Sequence, residues 1–283
     1  MTTFRKALRD LQEHSPTLVL TTAVSLVLFG STLIGLLVDP REVLAVPVWL
    51  KPAKFGLSGA VFLAALARMA CDVPASRLLR LTGSTIGWLI VAEILLVSLQ
   101  AARGRQSHFN IDTPSDSMVF ATMGVAIAVV WVLSMVLLVL HARTAVRDRT
   151  MAMALRFGLV LNIIGATIGW VMVQPLPAQL AGVRAGMHPF RAGAHTVGAT
   201  DGAAGMLLTN WSLTHGDLRI PHFIGLHALQ LLPLIVLLLR TIRSSRDDAA
   251  ERSLLTLAAG AIFAAFVTAL LQALAGRPLL PLS

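Results

Sequence analysis

The stretch Thr214 to Gln230, THGDLRIPHFIGLHALQ, gathers three histidines, an aspartate, an arginine and a glutamine directly ahead of the apolar run LLPLIVLLL. Burying such groups without partners costs about 1–3 kcal/mol each on protein mutational scales. One reading is a loop ending at a water-facing helix start, with Pro221 at the first helical position and Asp217 or Thr214 near the cap. The other is the rim and wall of a binding site. The second is favoured because His227 and Gln230 carry the polar set on into the apolar run. Imidazoles there could ligate a divalent metal, serve as axial haem ligands, or exchange protons near neutral pH.

A second polar group lies in another apolar run. Glu93, in STIGWLIVAEILLVSLQ, is the one acidic residue well inside a hydrophobic segment. An acid at the centre of a spanning helix costs on the order of 2.5–3.5 kcal/mol, so it faces the bundle interior and a partner. Gln100 follows seven residues later on the same helical face, and His108 and Asn110 come soon after. Glu93 stands nine residues before the end of its helix, about 13 Å down, and His227 is five residues into its own, about 8 Å down. Matching depths place Glu93 and His227 in one pocket as the proton-handling or catalytic pair, if their helices are neighbours. Gln100, His108, Asn110, Asp217, Arg219 and Gln230 are the candidate ligand-binding residues around them. For a metal, the candidate ligands are His108, His222, His227 and Glu93. His222 and His227 are five apart, roughly 140° around a helix, so they do not grip one ion as an i, i+4 pair does.

Other charged residues have plainer readings. Lys51 and Lys54 in WLKPAKF snorkel to headgroups beside Trp49, or else neutralise an acid such as Asp112, Asp116 or Asp217. His188 and His195 fall in a stretch with six glycines and read as solvated loop histidines. No phosphate-binding loop, dinucleotide fingerprint, GxSxG or CxxCH motif is present, and Ser107, His108 and Asp112 lack the spacing of a triad.

These residues must be positioned by helices in lipid. The chain is 56% hydrophobic and 13% charged, which places its 283 residues in the integral membrane class. With about 20 apolar residues needed per crossing, seven spans are predicted, at 17–38, 52–71, 81–102, 117–141, 152–174, 222–240 and 253–275. The expected fold is all-α, a single bundle of seven transmembrane helices. Residues 1–16 read as an interfacial helix and 175–221 as a long outer loop or lid. Gly83-x-x-x-Gly87 and Gly165-x-x-x-Gly169 are helix-packing signals. The single cysteine, Cys71, excludes an intrachain disulfide, and the absence of tyrosine excludes a tyrosyl radical or ligand.

The net charge of +9 comes from clusters between spans, a topology signal and not a nucleic-acid face. Fourteen of the 23 basic residues flank the N-terminus and the connections near Arg77, Arg147 and Arg243. The N-terminus is therefore expected in the cytoplasm and the C-terminus outside. All the chemical motifs then share the outer side, in PREVLAVPVWLKP, RGRQSHFNIDTPSD and the segment up to Pro221.

The set WLKPAKF, RGRQSHFN and GDLRIPHFIGLHALQ resembles a group of small bacterial multi-span membrane proteins without an assigned activity. The resemblance implies a helical bundle in a bacterial inner membrane, and no reaction. The lining is also loosely similar to seven-helix hydrolases of the alkaline ceramidase and progestin-receptor-like type, which hold zinc with a Ser, an Asp and three His. This chain lacks their HxxxH pair, so that function is not carried over. The leading expectation is an outward-facing His/Glu pocket that binds a divalent metal or haem for redox or hydrolytic chemistry. The alternative is a proton-coupled small-molecule transporter or a membrane sensor without catalysis. The expected partners are the lipid bilayer and a small-molecule or ion ligand, with no nucleic acid.

Overall fold

The computed structural model describes residues 10–188, 190–202, 205–206, 208–242 and 248–280. Seven helices in it are long and apolar enough to cross a membrane. They are α1 (Pro16–Val38), α2 (Leu50–Ala70), α3 (Arg77–Ala102), α4 (Pro114–Ala142), α5 (Arg149–Met172), α7 (Arg219–Ile242) and α8 (Asp248–Leu274). A short α6 (Pro177–Arg184) and a two-residue ladder, β1 (Thr196–Val197) with β2 (Gly216–Asp217), lie in the long connection. The all-α seven-span architecture is as the apolar runs predict. Most of the interfacial helix expected over residues 1–16 lies outside the described residues.

Local chemistry sets the helix starts. Ser76, Thr113 and Asp148 cap α3, α4 and α5 by accepting the backbone N–H of Leu79, Asp116 and Met151. Helix α7 starts at Arg219, two residues earlier than expected, so Pro221 is its third residue. Proline costs little there because first-turn N–H groups have no helical acceptor.

Five helices, α2, α3, α4, α5 and α7, pack in sequence around the bundle axis, with α1 against α2 and α3, and α8 against α5 and α7. One half of the bundle is dense. Leu63, Leu66, Met69, Leu155, Leu159, Leu229 and Leu232 are all fully buried there. Small residues bring backbones together: a Cβ on Gly165 would lie 2.6 Å from Gly225 Cα, and one on Gly158 would lie 2.6 Å from Leu229 Cα. Gly83 and Gly87 serve α1, meeting Leu18 and Thr21. At that end an ion network joins the connections. Asp72 links Arg68 to His141, whose other ring nitrogen accepts from Arg156, and Arg240 bridges Asp148 and Glu251. The other half of the ring is less filled, and its helices carry the polar residues.

Backbone hydrogen bonds tie described parts of the long connection to the bundle and to one another. Ile111 N–H donates to Phe190, Ala192 to Phe109, Ala194 to Met172 and Leu218 to His195, all at 3.0–3.1 Å. The Gln179 side chain clasps the Gly193 backbone from both sides. Gly193 has φ +95°, and a Cβ there would run into the Met172 carbonyl. Glycine therefore serves close packing here, where its abundance in the sequence suggests flexibility.

Candidate functional site

The open half of the bundle holds one cavity of about 580 Å³, within the range of small-molecule sites. The helices carrying Glu93 and His227 both line it but are not neighbours, because α2 stands between α3 and α7. This corrects the adjacency on which a direct Glu93–His227 pair depends. The side chain that approaches Glu93 is His108, whose Nε2 lies 3.6 Å from Glu93 Oε1. Glu93 is 2% exposed and neither carboxylate oxygen has a hydrogen bond.

His108 comes from the α3–α4 connection, and the next residue explains its aim. Phe109 has φ +63°, a left-handed conformation that costs a bulky residue about 1–3 kcal/mol. Its ring is 2% exposed and packs edge-on against Phe120 and His195, with centroids 5.8 and 4.7 Å apart. Packing thus holds a turn that points two consecutive rings inward. Lys51 Nζ lies 3.1 Å and Ser107 Oγ 3.2 Å from His108 Nδ1. With Lys51 donating as an ammonium, Nδ1 accepts and Nε2 carries the proton that faces Glu93.

The remaining imidazoles are fixed in the opposite tautomer. His222 Nδ1 is 2.8 Å from the Gly165 carbonyl and His227 Nδ1 is 2.9 Å from the Phe223 carbonyl. A carbonyl only accepts, so both Nδ1 atoms carry hydrogen, and in the neutral ring each Nε2 is then a lone pair. His227 Nε2 lies 3.4 Å from Ser58 Oγ on α2. His195 Nδ1 donates to Asp201 Oδ2 at 3.1 Å, and Asp201 also accepts the backbone N–H of His195 and Thr196. Burial, then the nearby charge of Lys51, holds His108 well below the ordinary histidine range. Burial likewise lowers His195, against the pull of Asp201. Burial would raise Asp201, but its bonds from His195 and the two amides take it well below the usual carboxylate range. At neutral pH His108 and His195 therefore face the cavity as neutral imidazoles.

The expected residues divide cleanly. Glu93, His108, His222, His227, Arg219 and Gln230 line the cavity. Gln100, Asn110 and Asp217 do not. Gln100 is completely buried, donates to Asp116 and accepts from Arg103, which also pairs with Asp116 at 3.0 Å. Asn110 shapes its own turn through the Gln106 carbonyl and the Asp112 amide, beside Arg191. Asp217, also fully buried, accepts from the amides of Ser212 and Arg219 and from the Arg219 guanidinium. It orders the cap.

Two sequence readings are corrected. Lys51 does not snorkel outward but turns to His108, and Lys54 reaches the Leu208 and Thr209 carbonyls. Neither meets Asp112, Asp116 or Asp217, which pair with Arg105, Arg103 and Arg219. His195 is not a solvated loop residue but part of the cavity wall, whereas His188 is exposed. The nearby Asp201, six residues on from His195, was its only sequence signal. Ser58 gave none.

No family model, curated protein or solved structure matches this chain. Function must therefore be argued from the cavity itself. Among the described residues, no three His, Cys, Asp or Glu side chains are grouped so as to hold a metal ion. One series of polar contacts in the cavity runs from Lys51 to His108 to Glu93.

Proposed function

We propose that this membrane protein binds a small amphiphilic molecule in the cavity, takes its polar head between Glu93, His108 and Lys51, and exchanges a proton with it. The supporting observation is the Glu93 carboxylate, which lies in the cavity wall, almost fully buried and without a hydrogen bond. A buried carboxylate without a partner is costly, and a ligand that donates to it offsets that cost. The Lys51–His108–Glu93 series gives the proton a route between groups. This is the chemistry of a proton-coupled transporter or sensor.

A second reading keeps the metal or haem. It is favoured by four imidazoles, His108, His195, His222 and His227, on one cavity, three of them with Nδ1 tied to an acceptor. That is the way ligating histidines are oriented. The absorption spectrum, elemental content and native mass spectrum of detergent-purified protein separate the two. A bound organic mass with no stoichiometric metal supports the first reading. A Soret band or one metal per chain replaces it with the second.

The reading also takes the cavity to open on the extracytoplasmic side of a bacterial inner membrane, with the N-terminus in the cytoplasm, from the charge asymmetry of the connections. Ser115, at the exposed start of α4, can report on this. In a Cys71→Ser background, Ser115→Cys is expected to react with a membrane-impermeant maleimide on intact cells, and Ala145→Cys only after lysis. The opposite pattern would place the cavity on the cytoplasmic side.

A further inference from the structure

We infer that the cavity opens sideways between α4 and α5, and that its ligand enters through this gap from the bilayer as a single-chain amphiphile with a hydrogen-bond-donating head. The inference rests on the head-group reading above and adds the ligand's class and route.

The two flanks of α5 differ. Toward α7 it is closed by backbone contact at Gly158 and Gly165. Toward α4, a Cβ placed on Gly124 would meet nothing within 4 Å, although Gly124 lines the cavity. Ile127 and Trp170, on either side of the gap, also line the cavity while 36% and 45% exposed. Residues that belong both to a cavity wall and to the outer surface mark where that wall is incomplete.

The rim is apolar. Trp131 meets Trp170 edge-on at 6.5 Å, and its indole N–H is spent on the Ile163 carbonyl at 3.1 Å. Ile163 is nine residues from the end of α5, and Glu93 is nine from the end of α3. Each lies about 13 Å below its helix end, inside a hydrocarbon layer about 30 Å thick. The cavity wall on α3 and α4 includes the apolar Ile90, Ile94, Met123 and Val130. Water gains nothing on such a path, whereas an alkyl chain does. A carboxyl group accepts in either protonation state and donates when protonated, so the head at Glu93 is one that can both donate and accept, as an alcohol can.

The test uses the full chain in phosphatidylcholine vesicles with a long-chain alcohol carrying a mid-chain diazirine, irradiated and mapped by peptide mass spectrometry. Ile94 and Met123, each 1% exposed, are expected to be labelled, and Gly124→Trp to reduce that labelling at least tenfold. Gly124→Ala, which leaves the gap open, should label as the parent does. Ile127→Trp offers an independent block should Gly124→Trp fail to fold. Labelling confined to outward residues such as Val125 and Val132 would overturn the proposal. So would inner labelling undiminished in both blocked variants. Inner labelling that needs the gap but ignores Glu93→Gln would keep the portal and remove the head-group reading.

Discussion

Asp217→Ala is expected to destabilise the protein by about 3–5 kcal/mol, the range for removing one partner of a buried ion pair. The Asp217 side chain is fully buried and Arg219 is 25% exposed, so little solvent screens the loss. The variant leaves the Ser212 and Arg219 amides without their acceptor, and the Arg219 guanidinium with only the Asn210 carbonyl, at the point where β2 leads into α7. The cap over the cavity should open as a unit, because His195 bonds Leu218 beside it. A lower melting temperature and rapid proteolysis between residues 175 and 218 would report this. Asp217→Asn keeps an acceptor oxygen and should lose less. Unchanged stability together with lost ligand occupancy would show that Asp217 acts on the ligand instead.

Glu93→Gln is expected to have the opposite signature. The substitution keeps the shape and replaces a carboxyl group that nothing in the protein hydrogen-bonds. The melting temperature should therefore hold or rise. A charge-assisted hydrogen bond to a ligand contributes about 1.5–3 kcal/mol, so affinity should fall roughly 10- to 100-fold. Occupancy by the co-purifying molecule, followed by native mass spectrometry on dilution, measures it. A cycle with His108→Ala should show coupling above about 0.5 kcal/mol, since the two side chains approach to 3.6 Å. If occupancy is unchanged and stability falls, Glu93 is a structural acid.

Much of the fold was legible from residue type alone. Seven apolar runs give seven helices because lipid leaves the backbone no other partner. Gly165 and Glu93 were marked for the same reason: a glycine repeat and a lone acid each need an explanation inside a spanning helix. The cap function of Asp217 was legible from its place beside a helix start. Depth, however, is a one-dimensional measure. It put Glu93 and His227 at compatible levels without showing that α2 divides their helices.

The sequence by itself determined the class and the number of spanning helices, because lipid forces the backbone into helices and hydrophobic cost turns buried polar groups toward the interior. Tertiary structure alone decided which of them touch. Lys51 beside His108, His195 against Asp201 and Phe109, and Ser58 facing His227 each join segments 6 to 169 residues apart. Such pairings depend on the order of helices around the ring and on a left-handed turn at Phe109, neither of which leaves a local pattern in the chain. Gln100 is the converse case. It shares the helix of Glu93, but the arginine one turn ahead and the aspartate at the start of the next helix bind it first. A buried amide is taken by whichever charged partners the fold brings within hydrogen-bond reach, and here those lie outside the cavity.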